Sequence, residues 1–456
     1  MRLRLSVASF RHINVKQQLK VDSLETMRPA LPTCLACVAT YVAPASSFFS
    51  APAIPSPTIS SRLIGGVRRG ASSNSHNPHA AAAATLGAAS KAGGSGRRTR
   101  GLRMVAAPEI STTKLPGTAN MDWENLGFEY RDVNSHVKFT FKDGAWDEGE
   151  LVKEPYVKIH IANTALHYGQ SVFEGLKAFH GKDGSVKLFR PDENAKRIRA
   201  SAERILMEPP PKDLFIKACK MAVNKANMEF VPPYGSEGAL YLRPLLFGTG
   251  ARIGLQPSDE FTLLVMVIPV GNYYKGGFKP TTAVVIEDYD RAAPKGVGAV
   301  KVAGNYAADM LPNILAKQAG YPIGLYLDAK TNSLVEEFST SNFFAVTDDN
   351  KFVTPDSPAV LPSITNKSLM QLAEDEGLTV EQRPVPFTEV ASFKEVGACG
   401  TAVVMTTIKR IIKGGEVIDI NGGSDETGPV CQTLYDRVRG VQAGELEDKF
   451  GWMVPV

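Results

Sequence analysis

A glycine-rich break, Gly271-Asn272-Tyr273-Tyr274-Lys275-Gly276-Gly277-Phe278-Lys279-Pro280, divides two strand-rich halves of the chain. Glycine frees the backbone and proline withholds a donor, so this stretch reads as a connection between packed units. The expectation is a mixed α/β (α+β) fold in two domains, a small one at 120–270 and a large one at 282–456, joined by a linker at 271–281. In the first half, Val137 to Phe141 and Val157 to Ile161 alternate in strand fashion, as do Ala239 to Phe247 and Phe261 to Ile268. Gly181-Lys182-Asp183-Gly184 signals a hairpin between Val172–Phe179 and Val186–Phe189. Pro191 then precedes a helix-like stretch, Asn194 to Leu206, with Ile198, Ala202 and Ile205 on one face. In the second half a helix after Tyr306 carries Leu311, Ile314 and Leu315 on one face, and Pro312 inside it implies a kink or a late start. Strands follow at Ile323–Leu327, Ser341–Val346 and Ala402–Thr406, with a helix between the last two that opens at Ser363 or Thr365 and ends at Gly377.

Charge separates a third region. Residues 1–105 hold fourteen Lys and Arg against Asp22 and Glu25, a balance of +12 in a chain of net +4, so the remainder carries −8. The segment is rich in Ser, Ala and Arg, which is the pattern of an organelle transit peptide. It cannot bury enough apolar surface to order itself. Arg103-Met104-Val105-Ala106-Ala107 resembles a plastid processing site, with the mitochondrion as the alternative address. The basic residues lack interleaved aromatics, and the acidic body does not suit a phosphate backbone, so nucleic acid is not an expected partner. No uninterrupted apolar run is long enough to span a membrane. Five scattered cysteines (Cys34, Cys37, Cys219, Cys399, Cys431) argue against a disulfide framework and for a reducing compartment.

Several segments carry side chains able to do chemistry. Lys301 stands in an uncharged patch, Lys301-Val302-Ala303-Gly304-Asn305-Tyr306, after the run Gly296-Val297-Gly298-Ala299-Val300. Desolvation favours the neutral amine, which makes Lys301 a candidate nucleophile toward a carbonyl; a surface lysine is the plainer alternative. Lys295 is its nearest competitor, in a more polar setting. Glu336 and Glu337 precede a strand and read either as loop carboxylates or as an acid buried against a cationic partner. Leu361-Pro362-Ser363-Ile364-Thr365 opens a helix whose free N–H groups favour an anion, as every helix start does. Tyr241 and Arg243, two apart on a strand, share a face; the arginine suits a substrate carboxylate or a structural salt bridge equally. Gly400-Thr401-Ala402 allows close approach of backbone to a ligand, or is an ordinary turn. His167 to Phe179, HYGQSVFEGLKAF, is either core packing or a pocket wall. There is no zinc-ligand spacing, P-loop, G-x-S-x-G or dinucleotide fingerprint, and no metal is expected.

Together these segments resemble branched-chain amino-acid aminotransferases, in the fold-type-IV class of pyridoxal-phosphate enzymes. The resemblance runs from about Trp123 to Gly451-Trp452-Met453-Val454 and rests on HYGQSVFEGLKAF, Leu188-Phe189-Arg190-Pro191, Tyr241-Leu242-Arg243-Pro244, Lys301 with Asn305-Tyr306, Glu337 with Asn342, and Gly400-Thr401-Ala402. It implies that Lys301 forms a Schiff base with pyridoxal 5′-phosphate, that Tyr306 bonds the phenolic oxygen, and that Glu337 pairs with the pyridinium nitrogen. It implies phosphate contacts from Arg197, Ile364, Thr365 and Thr401, with Thr340 near the ring. Tyr168, Phe173 and Tyr241 would line the side-chain pocket, the Thr401-Ala402 turn would hold the α-carboxylate, and Arg243 the distal carboxylate of glutamate. The implied reaction moves an amino group between L-leucine, L-isoleucine or L-valine and 2-oxoglutarate, in a homodimer. A D-amino-acid transaminase or an aminodeoxychorismate lyase of the same fold is the alternative, and a cofactor-binding protein without turnover is the rival from another class. Two departures stand out: Val403-Val404-Met405-Thr406 lies where some animal relatives carry a Cys-x-x-Cys pair, and residues 128–150 match weakly, so Phe128 is left outside the site.

Overall fold

The computed structural model describes residues 114–271 and 278–456. The expected transit segment at 1–105, with Cys34 and Cys37, and most of the expected linker lie outside the described residues. Two sheets organise the rest. The first is wholly antiparallel and runs Met453–Pro455, Val186–Phe189, Leu176–His180, Ala239–Gly248, Phe261–Val270, His136–Lys142, Ala145–Trp146. Glu150–Val152 and Ser171–Phe173 pair with its members. The helices α1 (Thr164–Tyr168), α2 (Pro191–Arg204) and α3 (Lys212–Lys220) belong to this half. Ile198 and Ala202 of α2, Phe215 and Ala218 of α3, and Leu240, Leu242 and Val265 of the central strands share one dry core.

The second sheet is mixed. It runs Thr379–Arg383, Lys351–Pro355, Ser341–Val346, Glu395–Gly400, Val404–Lys413, Thr281–Val285, Ile323–Leu327, Leu334–Phe338, Val385–Pro386. Leu334–Phe338 also pairs with Ser341–Val346, which closes part of this path into a ring. Successive residues of a strand face opposite ways. Phe343 and Ala345 therefore enter the core inside the ring, while Phe344 packs outside it with Leu369, Leu372 and Leu434. That outer core holds α5 (Ile364–Asp375) and α6 (Pro429–Ala443) against the sheet. No side chain caps α6 from Gly428; instead buried Glu395 accepts from the N–H groups of Val430 (3.1 Å) and Cys431 (2.8 Å). α4 (Ala303–Gln318) follows Lys301 directly.

Some expectations change. Val157–Ile161 forms no strand: Val157 is 42% and Ile161 79% exposed, and the alternating stretch pairs with no strand among the described residues. Val172–Phe179 is two strands, broken at Glu174-Gly175. The strand expected at Ala402 begins at Val404, because 401–403 is a turn. α4 starts at Ala303 and continues through Pro312, so the helix does not start late. The last strand, Met453–Pro455, leaves the second half and pairs with Val186–Phe189 of the first sheet.

Candidate active site

Lys301 is held where the halves meet. Its N–H donates to Ser201 Oγ of α2 at 2.9 Å, and its carbonyl accepts from Phe173 N–H at 3.1 Å. α4 begins two residues later, so Tyr306 lies in its first turn and its hydroxyl meets Lys301 Nζ at 2.5 Å. Asn305 turns its amide back onto the carbonyls of Val297 (2.8 Å) and Val300 (3.0 Å), fixing the approach to the lysine. Lys301 Nζ also lies 4.7 Å from the centre of the Phe173 ring. Burial, reinforced by Arg197, brings the Lys301 amine down to about 7. Burial also pushes the Tyr306 phenol well up. Lys295, by contrast, is exposed.

These groups open into a cavity of about 260 Å³. At one end stands Glu337, on the strand that closes the ring, opposite Asn342. Its carboxylate pairs with Arg291 and accepts weakly from Leu361 N–H at 3.4 Å. Burial raises the Glu337 acid to about 7, with Arg291 working the other way. Strand alternation sends Glu336 elsewhere: it accepts from Ser357 Oγ at 2.8 Å and does not line the cavity. Arg291 also spans the carbonyls of Gly298 and Ala359, tying the lysine loop to the loop before α5.

At the other end, Arg197 of α2 forms a two-bond fork with Glu174, Nε and Nη2 each at 2.8 Å, while Nη1 donates to the Pro362 carbonyl at 3.0 Å. The guanidinium thus sits at the opening of α5, where Ser363 caps the helix through Asn366 N–H. First-turn N–H groups beside an arginine make an anion site. Glu174 is fully buried and is held by Asn194 Nδ2 at 2.7 Å as well.

Along the wall, Arg243 Nη2 donates to Tyr241 Oη at 2.8 Å, and its guanidinium lies 4.6 Å from the Phe173 ring centre. Arg243 Nε and Arg291 Nε are buried without a hydrogen-bond partner. The turn Thr401-Ala402-Val403 lines the same cavity. It ends on Val404 at φ +66°, a costly conformation for a β-branched residue, with Met405 N–H bonded to the Val403 carbonyl at 2.9 Å.

Of the residues singled out in the sequence, Lys301, Tyr306, Glu337, Thr340, Arg197, Phe173, Tyr241, Arg243, Thr401 and Ala402 all line this cavity. Ile364 and Thr365 line a small adjoining one that shares Gly175, Gly400 and Thr401 with it. Tyr168 lines neither. It ends α1, where Gly169 takes a left-handed turn, and is 45% exposed with its hydroxyl on the Ile253 carbonyl. Phe128, left aside in the sequence, does line the cavity and meets Tyr241 edge-on at 5.6 Å. Glu174 and Asn194 were within reach of a question about Arg197: a buried guanidinium needs a carboxylate. Arg291 lies in a stretch without periodic signal, and nothing in the sequence marks it.

The Amino-transferase class IV family matches residues 171–411. A branched-chain-amino-acid aminotransferase of Haemophilus influenzae is 46% identical over 343 residues, covering 74% of this chain and 99% of that protein. Branched-chain-amino-acid aminotransferase 5, chloroplastic, of Arabidopsis thaliana is 40% identical over 354 residues, covering 77% of this chain and 84% of that one. The crystal structure of Escherichia coli branched-chain amino acid aminotransferase superposes with a TM-score of 0.60 at 27% identity, covering 71% of this chain and 99% of that one.

Proposed function

The chain belongs to the class IV aminotransferase family, and on that premise we propose how its cavity divides the work of transamination among named side chains. The enzyme transaminates branched-chain amino acids with pyridoxal 5′-phosphate as cofactor, and 2-oxoglutarate is the partner acceptor. The donors present suit that cofactor: an amine at one point, a buried carboxylate at another, and an arginine beside a helix opening at a third. Lys301 would hold the aldehyde carbon, Tyr306 the phenolic oxygen, and Glu337 the ring nitrogen. Arg197, Thr401 and the N–H groups of Ile364 and Thr365 would hold the phosphate, with Thr340 beside the ring. When bound, pyridoxal phosphate supplies an electron sink for the substrate Cα and a carrier for the amino group.

The protein's share is binding and proton transfer. With its proton affinity brought down to about 7, Lys301 Nζ is available at neutral pH as a free base to take the Cα proton. The Tyr306 hydroxyl, kept protonated by burial, holds Nζ in place. The Thr401-Ala402 turn would take the α-carboxylate. Phe173 and Tyr241 wall the side-chain pocket, and Arg243 at the rim would take the distal carboxylate of glutamate. An apolar wall separates leucine, isoleucine and valine by only ~1–3 kcal/mol, so the choice among them is loose.

The observation that carries this reading is the 2.5 Å contact of Lys301 Nζ with Tyr306, at a cavity that also holds Glu337 and Arg197. Reconstituted protein should show a visible cofactor band and a half-reaction with L-leucine. Lys301→Ala should lose both and Lys295→Ala neither; the reverse pattern would remove Lys301 from its role. Two further readings accompany it. The division at 271–281 into two domains is supported by the separate cores of the two sheets. Import into plastids through residues 1–105 is supported by their composition and by the chloroplastic relative. A fluorescent fusion of that segment reaching mitochondria alone would refute the plastid address.

A further inference from the structure

Lys177 stands behind the turn that faces the cavity. It lies on the strand Leu176–His180, is 9% exposed, and donates from Nζ to the Ala402 carbonyl at 2.7 Å. Its ammonium end is 5.8 Å from the centre of the Phe128 ring, and no carboxylate among the described residues forms an ion pair with it. A buried lysine with one carbonyl acceptor and no counter-ion is costly, which raises the question of what balances it.

The Ala402 carbonyl belongs to the same peptide as the N–H of Val403. Val403 lines the cavity, and the N–H groups of Thr401, Ala402 and Val403 enter none of the backbone turn and loop hydrogen bonds of the described residues. A peptide whose oxygen already accepts from a cation is a stronger donor at its nitrogen, because hydrogen bonds in a chain polarise one another. Lys177 therefore bonds the oxygen of a peptide whose nitrogen belongs to Val403, a residue lining the cavity.

We propose that Lys177 is a positioning and specificity residue: its ammonium, bonded to the Ala402 carbonyl, strengthens the turn's grip on a substrate carboxylate, and carboxylate binding draws a proton from solvent onto Nζ. The inference rests on the placing of the substrate carboxylate at the Thr401-Ala402 turn. No covalent change is involved; one proton is taken up for each anion bound, at most.

The surroundings allow this coupling. Arg439 of α6 opposes the charge on Lys177, and Tyr241 lies opposite it in the sheet. Cys399, ahead of the turn, is kept a neutral thiol by burial. Lys187 and Asp183 at the neighbouring hairpin pair with each other. Burial and Arg439 bring the Lys177 amine down to about 7, so near neutral pH it is poised between its two forms. An anion across the 402–403 peptide favours the charged form, and affinity for that anion falls as the pH rises and the amine loses its proton.

The test uses holoenzyme and two probes that share the leucine carbon skeleton, 4-methylpentanoate and its primary amide, followed through the visible band of the bound cofactor. Wild type should bind the carboxylate about tenfold more tightly at pH 6.5 than at pH 9, and the amide equally at both. Lys177→Met and Lys177→Gln should bind the carboxylate about tenfold more weakly at pH 6.5 and lose the part of the pH slope due to Lys177, with the amide affinity and cofactor band unchanged. Titration of the cofactor itself contributes equally to all three proteins and cancels in the comparison. Variants that keep the wild-type affinity and slope would overturn the inference. So would variants that lose carboxylate and amide alike, since that describes a collapsed turn. Wild type binding the amide as tightly as the carboxylate at every pH would overturn the placing of the carboxylate at the turn, and the role of Lys177 with it.

Discussion

Glu337 is 4% exposed, and the group that keeps its carboxylate ionised in such a place is Arg291. Desolvation pushes the acid toward its neutral form, and a neutral acid cannot hold a proton on a pyridine nitrogen. Arg291 opposes that push while bonding two loop carbonyls, so one guanidinium governs both the charge and the placement of Glu337. Arg291→Met should leave the carboxyl neutral at pH 7. Breaking a buried pair costs ~3–5 kcal/mol, and we expect cofactor affinity by equilibrium dialysis to fall at least tenfold. Unchanged affinity would mean that Glu337 needs no help. The choice of Glu337 over Glu336 came through the family resemblance, in which the acid stands five positions before Asn342; the residues alone left both acids open, and the strand that pairs Glu337 with Asn342 carried no separate signal. Arg291 was not legible in the sequence, since its partners come from segments 46 and 68 residues away.

Helices show a different limit. The pattern Leu311, Ile314, Leu315 does form one face of α4, but that face stays open among the described residues: the three are 53%, 52% and 43% exposed, and Met310 is 64% exposed. Periodicity reports that a face is apolar and does not say whose core it joins. The unpaired alternation at Val157–Ile161 follows the same logic, with exposed Leu166 and Tyr168 on the α1 segment that follows. A contiguous exposed apolar patch marks a contact with another molecule. The homodimer that the family resemblance implies would bury such a face. Leu311→Glu with Ile314→Glu should then convert a dimer into a monomer in sedimentation velocity at micromolar concentration, with the far-ultraviolet circular dichroism unchanged. Wild type sedimenting as a monomer, or the variant as a dimer, would rule the α4 contact out. Pro312 is compatible with this: it is buried against the protomer and leaves the neighbouring apolar residues pointing outward.

At the scale of the molecule, what the sequence could not reveal is long-range pairing. The ring closes through Leu334–Phe338 and Ser341–Val346, and the chain's end returns to Val186–Phe189; strand patterns carry no information about either partner. That topology gathers ionisable groups from both halves into one desolvated region, with a consequence for stability. Glu337 is raised to about 7 and Lys301 lowered to about 7 in the fold. Between the ordinary glutamate range and pH 7, the folded state holds a proton at Glu337 that the unfolded chain releases, so stability falls as pH rises. Between pH 7 and the ordinary lysine range, the unfolded chain holds a proton at Lys301 that the folded state has released, so stability rises with pH. The two costs overlap most near neutrality. With cofactor removed, Glu337→Gln should raise the melting temperature at pH 7–9 and have little effect near pH 4.5, whereas Lys301→Met should raise it at pH 5–7 and lose its advantage toward pH 10. Each kcal/mol regained corresponds to about 2–4 °C in a domain of this size. If both variants gain equally at every pH, then removal of bulk rather than charge is the cause, and the buried pair is not what sets the pH dependence of the empty enzyme.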